Sequence, residues 1–379
     1  MIGFGSLLAV LFVLYLVEYA AWIPSDAVAF RVCSGGKFPL RMVVRPRAVT
    51  RARVAFSYPL PLRSAILVSS WASASISPAG IVTGTPGRFL PFENISSIET
   101  AARSVLANGE TFVSGSSGAQ ANQWAGLLRK LCKCEPQDRA SQIEKFLSNS
   151  LDADRARARV QHYLDESFRT CMDSAALFVV TFVVSPILVW RWGLRETWPI
   201  LVFSFFVSLL VILGDFRRAE RELFPEPETN RWESIVTILI SPPAALRATK
   251  YLARDAAAAY HPLAIAAAGC SDAEFGALAS WTLRQLMFVP DVSRTLGDGA
   301  VDCAEWFRHE LLEQVSKLVR SEGRSPELLV SAPSLRDSQH AQSYCPRCLA
   351  QYVISRGVCT DCGGVSLRPL DESGRNVSG

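Results

Sequence analysis

Signatures of catalysis are missing from this chain. It has no Gly-x-x-x-x-Gly-Lys-Ser/Thr loop, no Gly-x-Gly-x-x-Gly, no Gly-x-Ser-x-Gly and no His-Glu-x-x-His. The usual sequence grounds for nucleotide hydrolysis, dinucleotide redox chemistry, serine hydrolysis and zinc proteolysis are therefore absent. Ser116, Ser117 and Gly118 bring serine and glycine together without a following lysine. Lysine is scarce, at 6 residues against 33 arginines, which reads as a GC-rich coding preference. A net charge of only +4 excludes bulk polyelectrolyte binding to nucleic acid. Six of the ten cysteines (Cys33, Cys132, Cys134, Cys171, Cys270 and Cys303) have no framework spacing and read as free, mostly buried thiols.

Apolar residues are present in excess. They make up 49% of the 379 residues, and mean hydropathy is +0.19. The excess is concentrated in a few segments, which predicts membrane spans rather than a uniformly greasy core. Residues 1–17 carry no charge, and after Glu18 the uncharged run continues to Ser25. Since about 20 helical residues cross the hydrocarbon layer, 1–23 is expected as a first, retained transmembrane helix. It lacks the basic start of a cleaved signal peptide. Residues 174–190 form a second apolar run, with Pro186 inside it, and 197–214 a third. A link of seven residues, 191–197, makes the last two an antiparallel hairpin, and Trp190, Trp192 and Trp198 cluster at its turn, where indoles favour the lipid–water interface. Arg31, Lys37, Arg41, Arg45, Arg47, Arg51 and Arg53 follow the first run, and Arg217, Arg218 and Arg221 the third. The positive-inside rule then places both large polar regions in the cytoplasm, with the N-terminus and the hairpin turn outside.

The sharpest motif lies near the C-terminus: Cys345-Pro-Arg-Cys348, ten residues, then Cys359-Thr-Asp-Cys362. Two Cys-x-x-Cys turns at this spacing can set four thiolates tetrahedrally around one metal ion, with zinc the expected occupant and iron the alternative. The segment is too short and polar to fold by burial, so the metal is expected to provide its folding energy, about 10–16 kcal/mol. Four thiolates leave no coordination position open, which predicts a structural site. The stretch 344–370 resembles the zinc ribbons. Gly363 and Gly364 follow the second turn as that family's pattern wants, whereas Leu349 stands in the corresponding place after the first. Arg347, Arg356 and Arg368 are balanced by Asp361, Asp371 and Glu372, which is not the basic stripe of a nucleic-acid site, so protein contact or simple capping of the tail is expected.

Between the first two apolar runs, 27–118 reads as short strands separated by turns. Residues 41–44, 53–56 and 64–68 are β-type runs, and Asn108-Gly109 marks a type I′ hairpin. Trp124, Leu127, Leu128 and Leu131 then fall at helical spacing. This order, with 77–81 (SPAGI) and 90–98 (LPFENISSI) preceding the hairpin and helix, resembles the bacterial pleckstrin-homology-like domains over 27–133. The resemblance implies a half-open barrel used for binding or assembly, with no catalytic residue. Arg41, Arg45, Arg47, Arg51 and Arg53 are candidates for contact with anionic lipid, although their number already suits a role in topology alone.

Residues 135–171 are expected as an amphipathic helical linker, 215–322 as a helical domain and 323–343 as a flexible linker to the ribbon. In the helix over 301–320, Trp306, Leu311, Leu312, Val315 and Leu318 should form the buried stripe. His261 stands in an apolar setting beside Pro262, with Cys270, Asp272 and Glu274 near in sequence. A structural histidine at a helix break is the simpler reading, and a catalytic one the alternative. The sequence thus describes a multi-domain, three-pass cell-membrane protein with a β-rich domain, a helical region and a small zinc ribbon. Its expected role is non-catalytic, as a scaffold or adaptor whose partners are the lipid bilayer and other proteins. An enzyme with a site near His261 is the alternative.

Overall fold

The structure is a computed structural model, and it describes residues 28–32, 40–44, 62–63, 74–84, 87–114, 118–224, 235–236, 238–239, 252, 255–269, 272–289, 298–333 and 340–370. The first apolar run, 1–23, and the expected strands at 53–56 and 64–68 lie outside these residues. Strands β1 (Val28–Val32), β2 (Leu40–Val44) and β3 (Leu62–Arg63) form one small sheet in the order β2-β1-β3, with β1 and β3 parallel. The chain divides into two compact units, one comprising 1–30, 43–65 and 157–257, the other 31–42, 66–156 and 258–379.

In the second unit, β4 (Ile76–Ser77), β5 (Gly80–Thr83) and β6 (Arg88–Pro91) make one antiparallel meander, and β7 (Ile98–Ala101), β8 (Ser104–Ala107) and β9 (Glu110–Ser114) a second. Gly80 has to be glycine, because a Cβ there would lie 2.4 Å from the Leu90 carbonyl oxygen across the ladder. Asn108 and Gly109 close the β8–β9 hairpin with φ of 51° and 82°, the conformation a type I′ turn demands. The Asn108 side chain fixes this turn to the preceding loop. Its Oδ1 accepts from the N–H groups of Ser96 at 2.9 Å and Ser97 at 3.1 Å, and its Nδ2 donates to the Asn94 carbonyl at 2.7 Å.

Helix α1 (Gly118–Lys133) buries Trp124, Leu127, Leu128 and Leu131, the stripe its spacing predicts. Helix α2 (Pro136–Ser150) adds Ile143 and Leu147. Trp124 sits at the centre, its ring 6.0 Å from Phe112 of β9, 4.9 Å from Phe146 of α2 and 6.3 Å from Phe307. Phe307 belongs to a helix nearly two hundred residues further on. The β-rich region and the late helices, expected as separate domains, therefore share one core. The reason is a stripe that needs a partner: Ala300, Cys303, Phe307, Leu311, Val315, Leu318 and Val319 line one face of that helix, Asp298–Ser321. Phe307, rather than Trp306, occupies the stripe, and Leu312 is only half-buried. The Cys303 thiol reaches the Gly80 carbonyl at 3.5 Å, and burial pushes its pKa up to about 11, so it is an inert core thiol.

The first unit contains a helical hairpin. Helix α3 (Ala153–Val179) runs on through a π segment (Val180–Val184) into α4 (Ser185–Trp192). Pro186 explains the π segment. Proline removes one backbone donor and crowds the preceding turn, and the wider turn relieves this while the Ser185 hydroxyl donates to the Val180 carbonyl at 2.7 Å. A single residue, Gly193, at φ 79°, reverses the chain. Helix α5 (Leu194–Leu223) begins at once, so most of the expected seven-residue link is helical. The C-terminal end of α5 is capped from α3: the Arg159 guanidinium donates to the Leu223 carbonyl and lies 5.1 Å over the Phe224 ring.

Tyr163, Leu177, Leu209, Ile212, Phe216, Ala219 and Leu223 form the inner seam of this hairpin. Its outer surface is apolar too. Val183, Ile187, Trp190, Trp198, Phe203 and Leu210 are among many large exposed side chains. Among the described residues, one helix, Leu194–Leu223, is long and apolar enough to cross a membrane. It contains the expected third run, 197–214. The second, 174–190, is divided among α3, the π segment and α4.

The remaining elements complete the second unit: α6 (Pro262–Gly269), α7 (Asp272–Met287), α8 (Asp298–Ser321) and the short α9 (Pro326–Leu329). Five two-residue strands follow, β10 (Ser343–Tyr344), β11 (Gln351–Tyr352), β12 (Val358–Cys359), β13 (Val365–Ser366) and β14 (Arg368–Pro369).

Candidate metal centre

The C-terminal strands form two small sheets, β11-β10-β14 and β12-β13. Each Cys-x-x-Cys pair occupies a tight turn at the edge of one of them. In the first turn the Leu349 N–H donates to the Cys345 carbonyl at 2.8 Å, and in the second the Gly364 N–H donates to the Cys359 carbonyl at 2.9 Å. Both turns exit through a left-handed residue, Leu349 at φ 63° and Gly363 at φ 70°. Glycine takes this conformation freely, whereas leucine is strained in it by about 1 kcal/mol or more. Packing opposes the strain at Leu349, whose side chain lies against Ala341, Tyr344 and Leu370.

The four sulfurs of Cys345, Cys348, Cys359 and Cys362 converge, all within 4.8 Å of one another. The Cys348 and Cys359 sulfurs are 3.8 Å apart. Sulfurs on a tetrahedral zinc ion, at about 2.3 Å from the metal, stand about 3.8 Å from each other. The residues present thus fit a four-thiolate metal site. A metal bound there would neutralise crowded negative charge and join the two turns.

Burial pushes the Cys348 thiol up to about 11, and burial with the neighbouring sulfurs pushes Cys362 higher still. At Cys359 burial acts in the same upward direction, but hydrogen bonds from the Tyr352 hydroxyl, from backbone and from adjacent thiols together hold it below the ordinary thiol range. The Tyr352 hydroxyl donates to the Cys359 sulfur at 3.1 Å. That contact orients and supports a ligand as outer partners of metal sites do.

The centre is not carried on a free tether. The stretch expected as a flexible linker, 323–343, contains α9 and its capping residue Ser325, and only 334–339 lie outside the described residues. Helix α7 holds the metal module directly. Arg284, only 5% exposed, donates from Nη1 to the Pro346 carbonyl at 3.2 Å, inside the first cysteine turn. Its Nη2 donates to the carbonyls of Leu329 at 3.1 Å and Ser331 at 3.0 Å. Burial lowers its pKa, and its donors are met by three backbone oxygens and, at Nε, by the Ser280 hydroxyl at 3.1 Å. One residue on, the Gln285 Oε1 accepts from Arg347 Nε at 2.7 Å. Phe288 packs on Cys345, Cys359 and Val365, and Arg368 lies 4.7 Å over its ring.

Sequence reasoning identified the four ligands and missed Arg284, Gln285, Phe288 and Tyr352. An arginine and a phenylalanine four apart near a helix end signal nothing by themselves, and their partners lie some sixty residues downstream.

His261 is 1% exposed and caps α6. Its Nδ1 accepts from the Leu263 N–H at 3.1 Å, while its own backbone N–H donates to the Ser150 carbonyl at 2.8 Å. Burial drives its pKa down to about 3, so the ring is neutral. Asp272 is exposed, and Cys270 and the side chain of Glu274 lie outside the described residues. The same holds for the side chains of Arg41, Arg45, Arg47, Arg51 and Arg53. The described cysteines are all free thiols.

No protein-family profile, curated protein or solved structure matches this chain, and the geometry of the metal centre and of the helical hairpin carries the functional reading.

Proposed function

We propose that this protein is a non-catalytic scaffold of the cell membrane, anchored by apolar helices and presenting cytoplasmic binding modules stiffened by a structural zinc ribbon. The observation that carries the reading is the pairing of a closed four-thiol site with an apolar helix hairpin whose outer surface is exposed. Four sulfurs leave no place for a metal-bound water, so the metal would be structural. Zinc fits best because it is redox-inert and suits tetrahedral thiolate sites. Many large apolar side chains are exposed along α4 and α5, and a bilayer is the medium that suits them.

In this reading 1–23, 174–190 and 197–214 cross the membrane, and both large polar regions face the cytoplasm, where thiols stay reduced. The two meanders with helix α1 act as the pleckstrin-homology-like module. Its partners are other proteins and, near Arg41–Arg53, anionic lipid. An enzyme centred on His261 is disfavoured, because the Nδ1 of that ring is engaged by a backbone donor and solvent does not reach it.

Three measurements test the proposal. Alkaline carbonate should leave the chain in the membrane pellet. Metal analysis of the detergent-purified protein should return one zinc per chain, lost in Cys359→Ser. An impermeant thiol reagent should fail to label Cys348 in intact cells. Release by carbonate, a metal-free preparation or labelling from outside would each overturn the corresponding part.

A further inference from the structure

The ribbon has one side turned to α7 and another that presents an apolar tip. Residues 353–358, from the end of β11 to the first residue of β12, are exposed without interruption. Three are large aliphatics, Val353, Ile354 and Val358, with 64%, 50% and 54% of their surfaces exposed. Arg356 stands among them, exposed, and no ion pair among the described residues holds it. The tip contains no acidic residue.

This tip is rigid. The Ser343 hydroxyl donates to the Ile354 carbonyl, the Leu367 N–H donates to the Gly357 carbonyl at 2.9 Å, and the Gln342 N–H donates to the Tyr352 carbonyl at 2.9 Å. Arg284 of α7 and Phe288, the residue just after that helix, contact the module on the side away from its exposed aliphatic groups. An arginine amid aliphatics at a fixed hairpin tip calls for a partner that offers apolar depth and anionic oxygens together. A bilayer interface offers both: acyl chains take the aliphatics while the guanidinium stays at phosphate level. Shallow aliphatics and one arginine bind a membrane weakly by themselves. They suffice as a second contact in a chain already held at the bilayer, where the effective concentration is high.

We propose that the ribbon tip, through Val353, Ile354, Val358 and Arg356, rests in the headgroup region of an anionic phospholipid bilayer. The inference rests on the membrane reading above and adds a lipid contact at the ribbon.

The test uses the full chain reconstituted into vesicles of phosphatidylcholine and phosphatidylserine, with a photoreactive p-benzoylphenylalanine at one position. Position Ile354 is the probe, exposed Asp361 the polar control and outward-facing Phe203 of α5 the control for the helix hairpin. Each variant must retain the metal content of the parent, which shows that the ribbon is folded. The expected result is a phospholipid mass adduct at Ile354 and Phe203 and none at Asp361. Adding Arg356→Glu, or omitting phosphatidylserine, should lower the Ile354 yield about fivefold. A lipid adduct at Phe203 with none at Ile354, or a protein adduct at Ile354, overturns the tip contact and leaves the membrane reading standing. An Ile354 yield indifferent to Arg356→Glu and to phosphatidylserine overturns the anionic assignment. No lipid adduct at either position, with the chain released by carbonate, sinks the membrane reading and the tip contact with it.

Discussion

Arg284 donates to the carbonyl of Pro346 at 3.2 Å, joining the end of α7 to the first cysteine turn across sixty-two positions of chain. The same guanidinium serves Leu329 and Ser331, so removing the ribbon would leave a buried cation facing fewer partners. Metal loss should therefore be felt beyond the ribbon. Chelation of the purified protein should speed amide hydrogen exchange in 280–288 as well as in 343–370. Arg284→Met should keep the metal but loosen the ribbon, at a cost of about 3 kcal/mol from stranded carbonyls. Unchanged exchange in α7 after full metal removal would show that the two segments are independent.

Leu349 sets strain against packing in the first turn. Its φ of 63° suits glycine, while its side chain lies on Ala341, Tyr344 and Leu370. Leu349→Ala keeps the strained backbone and loses the packing, so it should destabilise the ribbon by about 1–2 kcal/mol. Leu349→Gly loses the packing but relaxes the backbone, so it should cost less than Leu349→Ala despite removing more atoms. Competition with a chromophoric chelator would rank the two variants. Glycine weaker than alanine would mean that the turn is unstrained.

His261 makes stability depend on pH. Its folded pKa of about 3 lies below the ordinary 6.5 because of burial. The unfolded chain takes up the proton first, so the contribution is complete above pH 6.5 and is lost as pH falls from there toward 3. The slope in that window is up to about 1.4 kcal/mol per pH unit. His261→Asn keeps a side-chain acceptor for the cap and removes the titration. Melting curves of both proteins between about pH 7 and pH 5 should therefore converge on acidification. Curves that stay parallel would show that the ring protonates in place.

Asn108 combines a positive φ with hydrogen bonds to 94, 96 and 97. Asn108→Ala loses both and should cost about 2–3 kcal/mol, whereas Asn108→Gly keeps the turn and should cost about 1. Thermal melting of the two variants checks the order.

Local signals were legible wherever neighbours in sequence do the work. The type I′ hairpin follows from Asn108-Gly109, the buried stripe of α1 from Trp124, Leu127, Leu128 and Leu131, and the four-sulfur cluster from two cysteine pairs at a fixed spacing. The stripe of α8 was read one position off at Trp306, because periodicity tolerates a neighbour on the edge of a helix face. The π segment before Pro186 had no expectation attached to it, although proline in an apolar run invites such a relief.

By itself the sequence determined the chemistry of the centre and the existence of an apolar helical hairpin, because ligand spacing and hydropathy are properties of short windows. Only the tertiary structure decided that α8 completes the core around Trp124, that Arg284 of α7 and Phe288 just after it hold the ribbon, and that Val353, Ile354 and Val358 are left outside. Those outcomes depend on which apolar faces find each other across long stretches of chain. Burial is non-directional, so nothing in one face names its partner until the whole unit packs.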